Sequence, residues 1–189
     1  MNLSAPVKGF IFSFLAVILA FAIYFFFLAK KNYYLVDNPT PNTYYFKINN
    51  GFEQIISAGQ SVQVDLSKGK NSIQVFDNNK KIIYDSAFQV NKLRGLLNIA
   101  HQDYYVNRQF YGYIPNKDSL LLSHGKTVID GKDYLGDVTH HNKLYIEDFY
   151  YNIDEDYDAV VKNIQKVESR TKLFRKQDFL NYYNEYYKF

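Results

Sequence analysis

The chain has 189 residues, with 22 Lys or Arg against 19 Asp or Glu, and this net charge of +3 excludes a uniformly basic binder of polyanions. It contains no Cys, which excludes disulfides and thiolate metal sites, and no Trp. Tyr (19) and Phe (16) are abundant; an AT-rich genome gives the same bias, and amphipathic Tyr suits half-buried sheet faces and contact surfaces.

Residues 1–8 read as a short tail, and residues 9–29 as an uncharged apolar run of 21. A hydrocarbon core about 30 Å thick takes about 20 residues at 1.5 Å rise, so the run predicts a transmembrane helix. Lys8 in front and the triplet Ala20, Phe21, Ala22 superficially fit a cleaved signal. Against cleavage, the apolar stretch continues through residues 23–28, past the length of a signal core, and its three successive Phe suit a membrane interior. The expectation is an uncleaved anchor in a bacterial inner membrane. Lys8 and Lys30 with Lys31 nearly balance across the run. A short tail with one Lys is the layout of a start-transfer anchor, so the remainder is expected outside the cytoplasm.

Beyond the anchor, Pro39 and Pro41 exclude a continuing helix. Tyr44, Phe46 and Ile48 alternate with Tyr45, Lys47 and Asn49, the period of a strand. Asn49, Asn50 and Gly51 supply a tight turn, followed by a strand over 52–56 and a turn at Ala58 and Gly59. Val62, Val64 and Leu66 alternate again, residues 67–70 turn into Ile73 and Val75, and residues 77–80 turn into 82–84 and 87–90. Strands at this spacing predict an all-β antiparallel sandwich over 36–91. The stretch from Asn38, Pro39 and Thr40 through Gly69, Lys70, Asn71, Ser72, Ile73, Gln74 and Val75 resembles the PEGA-like or immunoglobulin-like sandwich modules of bacterial envelope proteins. That resemblance, over about residues 37–90, implies a non-catalytic spacer or adhesion module beside a membrane.

A second region, 93–189, reads as α+β. Strands are expected at 104–106, 110–114 and 144–146, and a hairpin at 127–135 around Asp130 and Gly131, which fit a type I′ turn. Val160, Ile164 and Val167 stand at i, i+4 and i+7, which predicts a helix over about 156–168 with Asp156 or Asp158 as its cap. A last helix is expected over 176–187, with Phe179, Leu180, Tyr183 and Tyr187 on its apolar side.

For chemistry, a metal- or carboxylate-dependent hydrolase of envelope polymers, with His140, Glu147 and Asp148 at its site, is one alternative reading. Adjacent His140 and His141 would point to opposite faces of a strand, so the doublet suits exposed loop histidines better than a chelate. Asp154, Asp156 and Asp158 imitate the start of a calcium loop, but Ala159 replaces its Gly and Gln165 its Glu. Nucleophile-elbow, zincin and phosphate-loop motifs are missing, and neither cofactor nor metal is expected. Lys162, Lys166 and Arg170 at i, i+4 and i+8 form an expected ridge for phosphate headgroups or an acidic partner, where a solvated face is the simpler alternative. Tyr111 and Tyr113, with Tyr150 and Tyr151, are expected aromatic contacts. No nucleic-acid module accompanies the ridge.

These expectations combine into a single-pass membrane protein that contacts the bilayer through 9–29. Its β-rich part serves as a non-catalytic scaffold, accessory or binding subunit for a protein partner. The third alternative is a single-helix accessory subunit of a larger membrane complex.

Overall fold

The computed structural model describes residues 4–28, 32–159 and 167–187. They form two compact units, divided after Asn32. In the first, helix α1 (Ala5–Ile23) carries Pro6 in its opening turn, where a missing N–H loses no hydrogen bond. It runs on into a π-helical turn over Tyr24–Leu28. The segment Pro6–Phe26 has a mean hydropathy of 2.5 and is not buried in protein, so it is long and apolar enough to cross a membrane. A signal sequence passes the same test of length and composition.

The second unit is mostly β. Its strands are β1 (Tyr33–Asp37), β2 (Tyr44–Ile48), β3 (Gln54–Ile56), β4 (Ser61–Val64), β5 (Gly69–Phe76), β6 (Ile82–Val90), β7 (Arg94–Asn98) and β8 (Tyr104–Tyr111). Then come α2 (Lys117–His124), β9 (Lys126–Ile129), β10 (Lys132–Leu135), β11 (Val138–His141), β12 (Tyr145–Ile146), β13 (Val167–Arg175) and α3 (Lys176–Tyr186). Three sheets, ordered β3-β2-β5-β6, β12-β7-β1-β4 and β11-β8-β13, lie beside the β9–β10 hairpin.

Period-two alternation explains how the sheets stack. Tyr34, Val36, Leu97 and Tyr145 face one way from the central β12-β7-β1-β4 sheet and meet Phe46, Ile73, Val75 and Phe88 of the β3-β2-β5-β6 sheet. Their neighbours Leu35, Leu96 and Ile146 face the other way and meet Tyr104, Val106 and Leu173 of the third sheet. On the far side of that sheet, Tyr105 and Phe174 pack with Ile129, Tyr134, Leu121 and, from α3, Phe179 and Tyr183.

The local turn chemistry behaves as its residues dictate. Asn49 and Asn50 adopt φ of 50° and 58°, and Asp130 and Gly131 adopt 50° and 77°, the positive values that a type I′ hairpin requires. The last helix ends at Tyr186, one residue short of its expected end. Two expectations need revision. The helix over 156–168 is absent from the described part: residues 155–159 are irregular, 160–166 lie outside the described residues, and Val167 opens β13. Pairing also runs across residue 92, because β1 lies parallel to β7 from Tyr33 beside Arg94 to Asp37 beside Asn98.

Candidate functional site

The third sheet contains the feature that gathers most of the expected contact residues. Between Glu168 and Thr171 the pairing of β13 with β8 shifts register. A bulge of this kind re-aims side chains. Beside it lies a small cavity of ≈ 150 Å³ lined by Tyr111, Tyr151, Asp158, Glu168, Ser169 and Arg170. Three of the expected contacts, Tyr111, Tyr151 and Arg170, thus meet in one place.

The backbone fixes them there. The N–H groups of Tyr150 and Tyr151 both donate to the Thr171 carbonyl at 3.0 Å, and Leu173 N–H returns a bond to the Tyr151 carbonyl at 2.9 Å. The two rings meet edge to face at 4.8 Å, and the Arg170 guanidinium lies 4.0 Å from the centre of the Tyr150 ring. A cation at this distance is attracted by the ring's negative face. On the other side of Tyr150, Arg94 donates to its carbonyl at 2.9 Å and also pairs with Glu155. Burial, then a hydrogen bond to Asp158, pushes the Tyr151 hydroxyl up to about 12. It therefore remains a neutral donor and acceptor at physiological pH, suited to binding and unsuited to act as a base.

The remaining expected residues are dispersed. Tyr113 is 75 % exposed and does not line the cavity, while Lys162 and Lys166 lie outside the described residues. The histidine doublet sits on strand β11 and not in a loop. His140 Nε2 stands 2.7 Å from Asp103 Oδ1, and its ring packs on Tyr105 at 5.2 Å. Burial holds the His141 imidazole below its ordinary pKa, so it is neutral at pH 7.

Glu147 and Asp148 have other partners. Burial opposes ionisation of Glu147, but bonds from the Asn91 side chain and the Asn91 and Lys92 N–H groups outweigh it and lower its pKa. Asp148 is lowered chiefly by its bond from Lys92 and further by Lys143. Glu147 and Asp148 thus share Lys92 as a donor, whereas His140 is bonded to Asp103, so the three do not converge through a common partner. Asp154 accepts from Tyr33, Asp156 from Lys172 at 3.2 Å, and Asp158 bonds Tyr151, so these aspartates brace three different side chains. Among the described residues, no group of three or more His, Asp or Glu is placed to hold a metal ion. Ser169, the cavity's hydroxyl, donates to the Arg170 carbonyl and accepts from Gln109 N–H at 2.8 Å each, so no base is bonded to it.

Sequence reasoning missed a polar network built on a fully buried carboxylate. Asp37, fully buried at the end of β1, accepts from Tyr104 Oη at 2.5 Å and from Arg175 Nε and Nη2 at 2.9 and 2.5 Å. Arg175 also donates to the Gly59 carbonyl at 3.0 Å. The three residues tie the central sheet to the third sheet, and 138 positions separate Asp37 from Arg175, so no local pattern announces the pair. Comparisons with protein-family models, curated proteins and solved structures return no match to this chain.

Proposed function

We propose that this chain is a single-pass membrane protein, held uncleaved by its apolar helix in a bacterial inner membrane. Its β-rich unit faces out of the cytoplasm and works without catalysis, binding a protein partner of the envelope. The observation that carries the reading is the pairing of an unburied apolar helix of mean hydropathy 2.5 with a folded unit that displays an aromatic and guanidinium cluster. Tyr and Arg are the side chains that contribute most at protein interfaces. In this reading Tyr111, Tyr150, Tyr151 and Arg170 form the contact patch, with Lys162, Lys166 and Tyr113 as expected additions to it. The module over about 37–90 belongs with the immunoglobulin-like or PEGA-like spacers of envelope proteins.

The test is site-specific photocrosslinking in intact membranes from the half-buried Tyr111 and Tyr150. Discrete adducts from both positions, suppressed by Arg170→Ala, are expected. A smear of unrelated neighbours, unchanged by that substitution, contradicts the reading.

A further inference from the structure

The strand directions place a particular set of side chains at the end of the folded unit where β1 begins. Tyr33 N–H donates to the Leu93 carbonyl at 2.8 Å, so the β6–β7 turn lies at that end. β6 therefore finishes there, and β5 starts there, with Gly69 beside Val90. β4 ends there too, because Val64 pairs with Tyr34. The loops at this end carry Leu93, an apolar side chain 52 % exposed, and the exposed lysines Lys68, Lys70 and Lys92. β2, antiparallel to β5, also runs toward it and leads to the turn bearing Phe52, 93 % exposed.

Charge is unevenly neutralised. Lys92 pairs with Asp148, while Lys68 and Lys70 have no ion pair among the described residues. The acids at this end include Asp65, Glu147, Asp148, Asp154 and Glu155; Glu147 is bound to Asn91 and the Lys92 backbone, Asp148 to Lys92, Asp154 to Tyr33 and Glu155 to Arg94. Four residues, two of them Lys30 and Lys31, separate Leu28 from Tyr33. Extended chain covers about 3.3–3.6 Å per residue, so those five steps reach about 18 Å at most. An anchor that ends in a bilayer thus keeps the start of β1 within that distance of its last apolar residues.

From exposed apolar loop tips, unpaired lysines and covalent reach, we infer that the end of the folded unit bearing Leu93, Lys68 and Lys70 is a docking surface for anionic phospholipid headgroups. Leu93 enters the interface and the lysines meet the phosphates, an attraction confined to about a Debye length of the surface. The inference rests on the anchored reading above. Docking would hold the β-rich unit in one orientation on the membrane, so that the cavity beside Arg170 meets its partner from a fixed direction.

The absence of Trp makes the test direct. Full-length Leu93→Trp is reconstituted in vesicles of phosphatidylcholine with brominated phosphatidylglycerol, alongside Asn79→Trp in the exposed β5–β6 turn at the opposite end. Leu93→Trp should shift its emission to the blue and lose it to bromine quenching, and Asn79→Trp should not. Lys68→Glu with Lys70→Glu should restore the Leu93→Trp emission while the chain stays in the carbonate-washed membrane. Equal, weak quenching of both probes in a carbonate-resistant chain overturns the docking surface and leaves the anchor standing. Quenching of Leu93→Trp that is unchanged by the lysine reversals overturns the headgroup assignment. Release of the chain by carbonate removes the anchored reading and this inference together.

Discussion

Replacing Arg175 by Met strips the Asp37 carboxylate of both guanidinium bonds, 2.9 and 2.5 Å, and leaves it only the Tyr104 hydroxyl. The Asp37 side chain is fully buried and the Arg175 side chain that covers it is 24 % exposed, so water entering from the surface replaces only part of the guanidinium's bonding. Breaking a buried pair by removing one partner costs about 3–5 kcal/mol, because a charge is left uncompensated in a poorly polarisable interior. The Gly59 carbonyl also loses a 3.0 Å bond, near a solvated edge where the loss is smaller. The expected loss for Arg175→Met is therefore about 3–5 kcal/mol in chemical unfolding of the detergent-solubilised chain, followed by near-ultraviolet dichroism of its tyrosines. Asp37→Asn with Arg175→Met removes the stranded charge and should recover part of that loss. A single variant that loses less than about 1 kcal/mol, or a double variant no better than the single one, refutes the reasoning.

Other outcomes follow from close contacts and titrations. A methyl group on Gly95 would meet the Tyr145 hydroxyl at 2.2 Å and its ring at 2.5 Å, so Gly95→Ala should destabilise by about 1–3 kcal/mol through overpacking. Tyr145→Phe should be neutral or stabilising by thermal unfolding, since the buried hydroxyl makes no hydrogen bond among the described residues. Glu147 and Asp148 both have pKa values lowered by folding from 4.5 and 3.8, so their stabilisation is complete above those values and fades as the pH falls through the folded ones. Unfolding curves recorded from pH 6 down to pH 3 should accordingly flatten in Glu147→Gln with Asp148→Asn. Asn116 accepts from Ser119 N–H at 3.1 Å as the cap of α2, and Asn116→Ala should cost about 1 kcal/mol.

Legibility in the sequence followed locality. The β2–β3 and β9–β10 turns were readable because Asn49, Asn50, Asp130 and Gly131 supply positive φ by themselves. β1 and β7 were not, because both are covered on two faces and pair in parallel, so Leu35 and Val36, or Leu96 and Leu97, form apolar runs without alternation. β13 was hidden because Val167, its first residue, also completes a helical spacing with Val160 and Ile164 in the sequence, while its Leu173 and Phe174 serve opposite faces. α2 escaped notice because its capping Asn116 resembles an ordinary turn residue. The candidate site was half legible: aromatic and cationic side chains drew attention to Tyr111, Tyr150, Tyr151 and Arg170. Their meeting depends on the register shift after Glu168, which no spacing rule encodes.

The anchored reading meets its most direct test in the intact mass of the chain recovered from carbonate-washed membranes. The account predicts the full sequence, with residues 9–29 still attached, in the membrane pellet. A shorter mass that begins beyond Ala22, recovered in the soluble fraction, would contradict it.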